Sequence, residues 1–128
     1  MGKFWRGVCV LAAMWGFFLG LAVAEVESTF RPYVTSVSDA RGLMQIKPST
    51  AEWIAGKVGI PWQGKESLYD PRVNAEIGCA YLAYLIERFG VVGGVKAYNV
   101  GPGAYSRKEA VAAADRYANK VFNALAAS

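Results

Sequence analysis

An uncharged run from Gly7 to Ala24, GVCVLAAMWGFFLGLAVA, constrains this chain more than any other stretch, because Glu25 and Glu27 follow it at once. Lys3 and Arg6 precede the run and Ala22-Val23-Ala24 closes it, the outline of a secretory signal with its cleavage site. It is also just long enough to span a membrane. Cleavage after Ala24 would leave Glu27 third in a frayed terminus, whereas a chemically active group needs rigid support. A third reading makes Phe17 to Ser28 a buried helix of the domain. Leu19, Leu21, Val23 and Val26 then distribute around a helix that is apolar on most sides, with Glu27 near its C-terminal end. We prefer this third reading. Residues 1–16 remain a signal-like or anchoring hydrophobic segment, and residues 17–128 form the one domain that a chain of 128 residues accommodates.

Beyond Ser28 the chain leaves the helix. Pro32 disfavours helical geometry at Arg31, and TSVSDARG is rich in turn formers. Gly42 allows a tight backbone approach, and Leu43 to Ile46 reads as a short buried turn of helix. Ser49 and Glu52 have the spacing of a capping box opening a helix to about Lys57, and Gly59 to Tyr69 reads as loop. Asp70-Pro71 pairs a capping side chain with proline at the first helical position. The helix it starts carries Val73, Ile77, Tyr81 and Leu85 along one line to about Phe89, where Gly90 stops it. A short helix follows to Asn99, then the Gly101-Pro102-Gly103 turn. Ser106 and Glu109 have the spacing of a second capping box, opening a last helix with Tyr117, Val121 and Leu125 at helical intervals. No segment alternates as a strand does, so the fold class is all-α.

Composition removes several chemistries. With no histidine, Ser-His-Asp and Cys-His nucleophiles and histidine-rich metal sites are excluded. Cys9 and Cys79 are too few for a disulfide framework or a four-thiolate zinc site, and their apolar flanks suit small buried hydrophobes. The formal charge of +4 is spread without a Lys/Arg block, so nucleic acid is not an expected partner.

Of ten carboxylates, most have plain roles at caps or on polar helix faces. Glu25 projects roughly opposite Glu27 on a helix, so the two do not share a pocket. Glu27 alone ends a long apolar run and opens a turn-rich segment. An acid held against apolar side chains has its charged form disfavoured, which raises its pKa and makes it a proton donor near neutral pH. Gln45, Tyr98 and Asn99, with Tyr105 and Tyr117, supply the amides, hydroxyls and aromatic faces of a sugar-binding cleft, although each tyrosine taken singly suits a core position.

Four blocks in order, VES at 26–28, GLMQIKPSTA at 42–51, AYNVGPGAY at 97–105 and YANKV at 117–121, resemble the lytic transglycosylase domain of the soluble (SLT) type, whose fold is the goose-lysozyme-like helical domain. The stretch LYDPRVNAEIGCAYLAYLIERFG at 68–90 is similar to the long helix that precedes the AYN block in that family. The resemblance implies a murein lytic transglycosylase with peptidoglycan glycan strands as substrate, no metal or cofactor, and Glu27 as its single catalytic acid/base. By the same resemblance Gln45, Tyr98 and Asn99 line the sugar subsites, Met44 packs at the cleft floor, Tyr117 reaches back toward Glu27, and Ser28 fixes the surroundings of the carboxylate. Asp39 stands where the family commonly has glycine, and as a carboxylate close to the cleft it keeps a lysozyme-type hydrolase open as an alternative. A non-catalytic peptidoglycan-binding or secretion-assembly module is the second alternative, and a membrane-anchored structural protein the third. The expected setting is the bacterial cell envelope, or a phage-encoded protein acting on the cell wall. The expected state is a monomer, with the N-terminal hydrophobic segment as the candidate for membrane association.

Overall fold

The structure is a computed structural model that describes the backbone of residues 3–128 and side chains from Gly16 onward. The export or anchoring role expected of residues 1–16, and the buried position expected of Cys9, fall outside the described side chains. Among the described residues five α-helices follow one another: α1 (Lys3–Ser28), α2 (Pro48–Val58), α3 (Pro71–Val100), α4 (Pro102–Ser106) and α5 (Val111–Ala127), with a 3-10 helix at Lys65–Tyr69. Among the described residues there is no strand, only two isolated antiparallel bridges, Thr35 with Arg41 and Arg41 with Ile46.

The long helix α3 is the axis of the domain. Asp70 caps it through the Arg72 amide at 2.9 Å, with Pro71 in the first turn, as the sequence predicts. Gly90, at φ 81° and ψ 174°, leaves helical geometry, so the stretch is two helices meeting at a kink, with the break where the sequence predicts it. Ile77, Leu82, Leu85 and Val95 of α3 are sealed from solvent. Against them pack Leu19, Ala22 and Val23 from α1, Ile54 and Ala55 from α2, and Ala118 and Val121 from α5. α1 packs into this core along one face, through Leu19, Ala22, Val23 and Ala24, while Leu21 on the other side is exposed. Phe17 and Phe18 are exposed as well and stack edge to face at 5.5 Å.

Four local expectations are corrected. Ser49 does not cap α2: the helix begins at Pro48 with Lys47 as the residue before it and no side-chain cap, because proline claims the first helical position and moves the start ahead of Ser49. Ser106 does not open the last helix either. It ends α4, after which Lys108 and Ala110 adopt left-handed backbone (φ 57° and 52°). Glu109 is instead held by Arg107, at 2.7 and 3.2 Å, rather than bonding back across a helix start. Leu43 to Ile46 is not a turn of helix. Gly42 and Gln45 have φ of 76° and 51°, and Arg41 and Ile46 exchange backbone hydrogen bonds of 3.0 and 3.1 Å, which makes the segment a tight hairpin-like turn. The region read as loop before Asp70 contains the 3-10 helix.

Candidate active site

Glu27 occupies the last turn of α1. The helix ends immediately after it because Thr29 and Phe30 take left-handed backbone (φ 54° and 60°), conformations that cost non-glycine residues energy and cluster at functional sites. The Ser28 hydroxyl lies 2.7 Å from the Leu43 carbonyl and 3.1 Å from that of Ala24, pinning the end of α1 to the 42–46 turn. The carboxylate of Glu27 accepts a 2.8 Å hydrogen bond from the Tyr117 phenol on α5. Burial pushes its pKa up from the ordinary 4.5 to about 7, against a smaller lowering by the Tyr117 bond. Burial and then the neighbouring carboxylate push the Tyr117 phenol far above its usual range, so it remains a donor at any working pH.

An open cleft of about 310 Å³ lies over this pair, lined by Val26, Glu27, Asn99, Ala113, Arg116, Tyr117 and Lys120. Glu27 is the only carboxylate on that lining. Asp39 lies elsewhere, in left-handed backbone (φ 64°) as its turn requires, with its carboxylate 2.8 Å from Arg41 Nε. Among the described residues no group of acidic or cysteine side chains is placed to hold a metal ion.

Of the residues singled out from sequence, Glu27, Asn99 and Tyr117 meet on one cleft. Ser28, Met44, Gln45 and Tyr98 stand behind it. Met44 is 1% exposed and packs in the core against Gly78, where a Cβ would run into its sulfur, so it is not at a cleft floor. The phenol of the buried Tyr98 donates to the Met44 carbonyl at 2.7 Å. The Gln45 amide donates to the carbonyls of Val34 and Gly42, at 2.9 and 3.0 Å, tying the 42–46 turn to the preceding loop. Tyr105 packs edge to face on Phe89 at 5.0 Å.

Sequence reasoning missed two groups. Arg116 and Lys120 lie one turn apart on α5 with Ala113 and Tyr117, and that i, i+3, i+4 and i+7 spacing was the available signal. Asn74, fully buried on α3, accepts from the Met44 amide at 2.7 Å and donates to the carbonyls of Arg41 and Leu68, at 2.8 and 2.9 Å. It holds the whole 41–46 turn on α3. A Cβ at Gly42 would meet both the Leu68 carbonyl and the Asn74 amide, so the turn closes only around glycine. Nothing in the sequence around Asn74 separates it from a solvent-facing helix residue.

Comparisons with known proteins agree with this architecture. The family model described as the transglycosylase SLT domain matches residues 17–121. The soluble lytic murein transglycosylase of Salmonella typhimurium is 41% identical over 86 residues, 65% of this chain and 13% of that protein. The membrane-bound lytic murein transglycosylase C of Serratia proteamaculans is 38% identical over 102 residues, 68% of this chain and 27% of that one. Among solved structures, the 70 kDa soluble lytic transglycosylase of Escherichia coli matches with a TM-score of 0.77 and 30% identity, over 85% of this chain and 21% of its own. The lytic transglycosylase Slt of Pseudomonas aeruginosa, crystallised as an inactive glutamate-to-glutamine mutant, matches with a TM-score of 0.80 and 26% identity over 94% of this chain and 23% of that one. The chain thus spans between an eighth and about a quarter of the length of these proteins.

Proposed function

The chain belongs to the transglycosylase SLT domain family, and from that premise we propose that it cleaves peptidoglycan glycan strands without water, at the β-1,4 bond between N-acetylmuramic acid and N-acetylglucosamine. The observation that carries the reading is the single carboxyl on the cleft: Glu27, half sunk in apolar surroundings, protonated to about pH 7 and held by Tyr117. As the acid it gives its proton to the bridging oxygen while the bond from the anomeric carbon to that oxygen breaks. The carboxylate left behind then takes the proton of the muramoyl 6-hydroxyl, whose oxygen bonds to the anomeric carbon and closes a 1,6-anhydro ring. Glu27 ends as it began, protonated. A hydrolase needs a second carboxylate for a water or a covalent intermediate. Asp39 is tied to Arg41 and is not on the lining, which supports the lyase route over the lysozyme-type one.

In this reading Asn99 contacts the sugar directly. Ser28, Met44, Gln45 and Tyr98 act behind it by fixing the turn and the helix end that hold Glu27. Arg116 and Lys120 supply positive charge beside a polymer that carries carboxylates. The site of action is the bacterial cell wall. The exposed Phe17 and Phe18 continue the apolar run of residues 7–16, which supports attachment at a membrane through the N-terminal segment.

Mass spectrometry of purified peptidoglycan digested with this chain tests the reaction. Products lighter by one water than those of a hydrolase are expected, and none with Glu27→Gln. Hydrated reducing ends would sink the lyase route, and absence of any cleavage by a folded chain would favour a binding module.

A further inference from the structure

A second cleft, of about 370 Å³, opens between the start of α2, the middle of α3 and the first residue of α4, and the chemistry at Glu27 makes no use of it. Thr50, Trp53, Tyr81, Tyr84, Arg88 and Pro102 are on its walls. Trp53 is 47% exposed and meets Tyr84 edge to face, with ring centroids 5.1 Å apart, so an aromatic platform stands open to solvent. Lys57 Nζ lies 5.8 Å from the Trp53 ring and 5.3 Å from that of Tyr84. Among the described residues neither Lys57 nor Arg88 pairs with a carboxylate.

Tyr81 is the telling residue. Only 8% of the residue is exposed, yet its phenol oxygen is not among the sealed polar atoms and makes no hydrogen bond to the described residues, so it reaches solvent where the ring lines the cleft. The other two buried tyrosines both spend theirs, Tyr98 on the Met44 carbonyl and Tyr117 on Glu27. A hydroxyl that reaches solvent only through the cleft is free to donate to whatever occupies it. Burial, with a smaller contribution from Tyr84, raises the Tyr81 pKa and keeps that proton in place.

An open aromatic face, a waiting donor and two unpaired cations describe a ligand with an apolar face, acceptor atoms on its edge and a negative charge. An acidic saccharide has all three. The two clefts are also joined by the chain itself: Asn99 lines the first and Pro102 the second, at most ~10 Å apart along the backbone. The Tyr98 ring leans on that of Tyr81 at 5.4 Å between them. We propose that the Trp53–Tyr84–Tyr81–Arg88 cleft is a distal saccharide subsite, which seats a carboxylate-bearing sugar of the strand whose scissile bond lies at Glu27. The sugar ring stacks on Trp53 and Tyr84, an edge oxygen accepts from Tyr81, and the carboxylate faces Arg88. The assignment rests on the glycan-cleaving reading above.

Calorimetric titration of the full chain carrying Glu27→Gln tests it without consuming the probe. The probes are a six-sugar peptidoglycan glycan fragment with its carboxylates, and the neutral N-acetylglucosamine hexamer. Adding Trp53→Ala is expected to weaken both about tenfold, the scale of a lost aromatic stacking contact. Arg88→Gln weakens the acidic hexamer and spares the neutral one, and Tyr81→Phe, which keeps the ring, weakens both. With Glu27 intact, Trp53→Ala raises KM on the glycan and leaves kcat in place, as loss of remote binding requires. Trp53 and Arg88 lie outside the sealed core, so the melting temperatures of those variants should match the parent's. Hexamer affinities unchanged by Trp53→Ala and Arg88→Gln, in a parent that cleaves glycan normally, overturn the subsite alone. A parent that neither binds nor cleaves glycan overturns both the subsite and the reaction.

Discussion

Asn74 and Glu27 are both polar groups set into an apolar interior, and they are treated in opposite ways. Asn74 has no exposure, and its side-chain oxygen and nitrogen are spent on three backbone groups that lock the 41–46 turn to α3. Glu27 has one side-chain partner, Tyr117, and a carboxyl lifted to about pH 7 by its surroundings. A fully satisfied buried network rigidifies; a half-satisfied one stores unfavourable energy that a substrate can relieve. The contrast separates structure from chemistry: Asn74 holds the frame still, and Glu27 is left wanting a proton.

The largest expected effect is on activity. Glu27→Gln removes both the acid and the base, and cleavage should fall by at least ~10²–10⁴-fold, the usual contribution of a positioned acid/base. The assay is release of soluble fragments from peptidoglycan. Asn74→Ala should act on stability instead. It orphans the Met44 amide and the Leu68 carbonyl inside the core and leaves the Arg41 carbonyl with the Ile46 amide alone, at a cost of about 3 kcal/mol, read by urea denaturation. Activity in the fraction that stays folded should fall much less than in Glu27→Gln. If both substitutions lowered stability alike and left cleavage alike, the contrast would collapse.

The same contrast has a pH signature. The folded carboxyl of Glu27 titrates at about 7 and the unfolded one near 4.5, so the folded state holds the extra proton between those values. The stability this contributes is complete below about pH 4.5, falls as pH rises through about 7, and then levels off about 3 kcal/mol lower. Glu27→Gln carries no such penalty. It should therefore melt higher than the parent at pH 8 and close to it at pH 5, as calorimetry at the two pH values would register. A gain of the same size at both pH values would mean that Glu27 is not strained by its charge.

Much of the frame and part of the site could be read from the residues. Glu27 was legible because an apolar run ends on it, and Asp70-Pro71 because a cap and a proline act over two residues. Tyr117 came by resemblance, since a contact across ninety positions leaves no local mark. The corrected starts of α2 and α5 share a cause: capping-box spacing at Ser49 and Ser106 says nothing of a proline one residue earlier, or of an arginine that captures the glutamate first. Gln45 and Tyr98 were read as facing the cleft because amides and hydroxyls suit one, and Met44 was put at its floor by resemblance alone. Gln45 instead donates to the carbonyls of Val34 and Gly42, and Tyr98 to that of Met44. The Met44 side chain packs on Gly78, and the turn around which they gather needs glycine at 42 and is held on α3 by Asn74. Asn74 was invisible because its partners lie on other segments.

The smallest effect is the sharpest test of how Glu27 is tuned. The Tyr117 phenol donates to the carboxylate and favours its charged form, so Tyr117→Phe removes the one interaction that pulls the Glu27 pKa down and leaves burial unopposed. In the proposed reaction cleavage begins with protonated Glu27, so activity should decline as pH rises through about 7 in the parent. In Tyr117→Phe that alkaline limb should move to higher pH by about one unit, the worth of a hydrogen bond to a charged group. The maximal rate should drop as well, because the carboxylate formed after the first proton transfer loses its donor. A pH–rate profile of kcat separates this from a packing role: a phenol that only filled space would lower the whole profile and leave the limb where it was. A limb moved to lower pH would invert the assignment, making Tyr117 a group that stabilises the neutral acid.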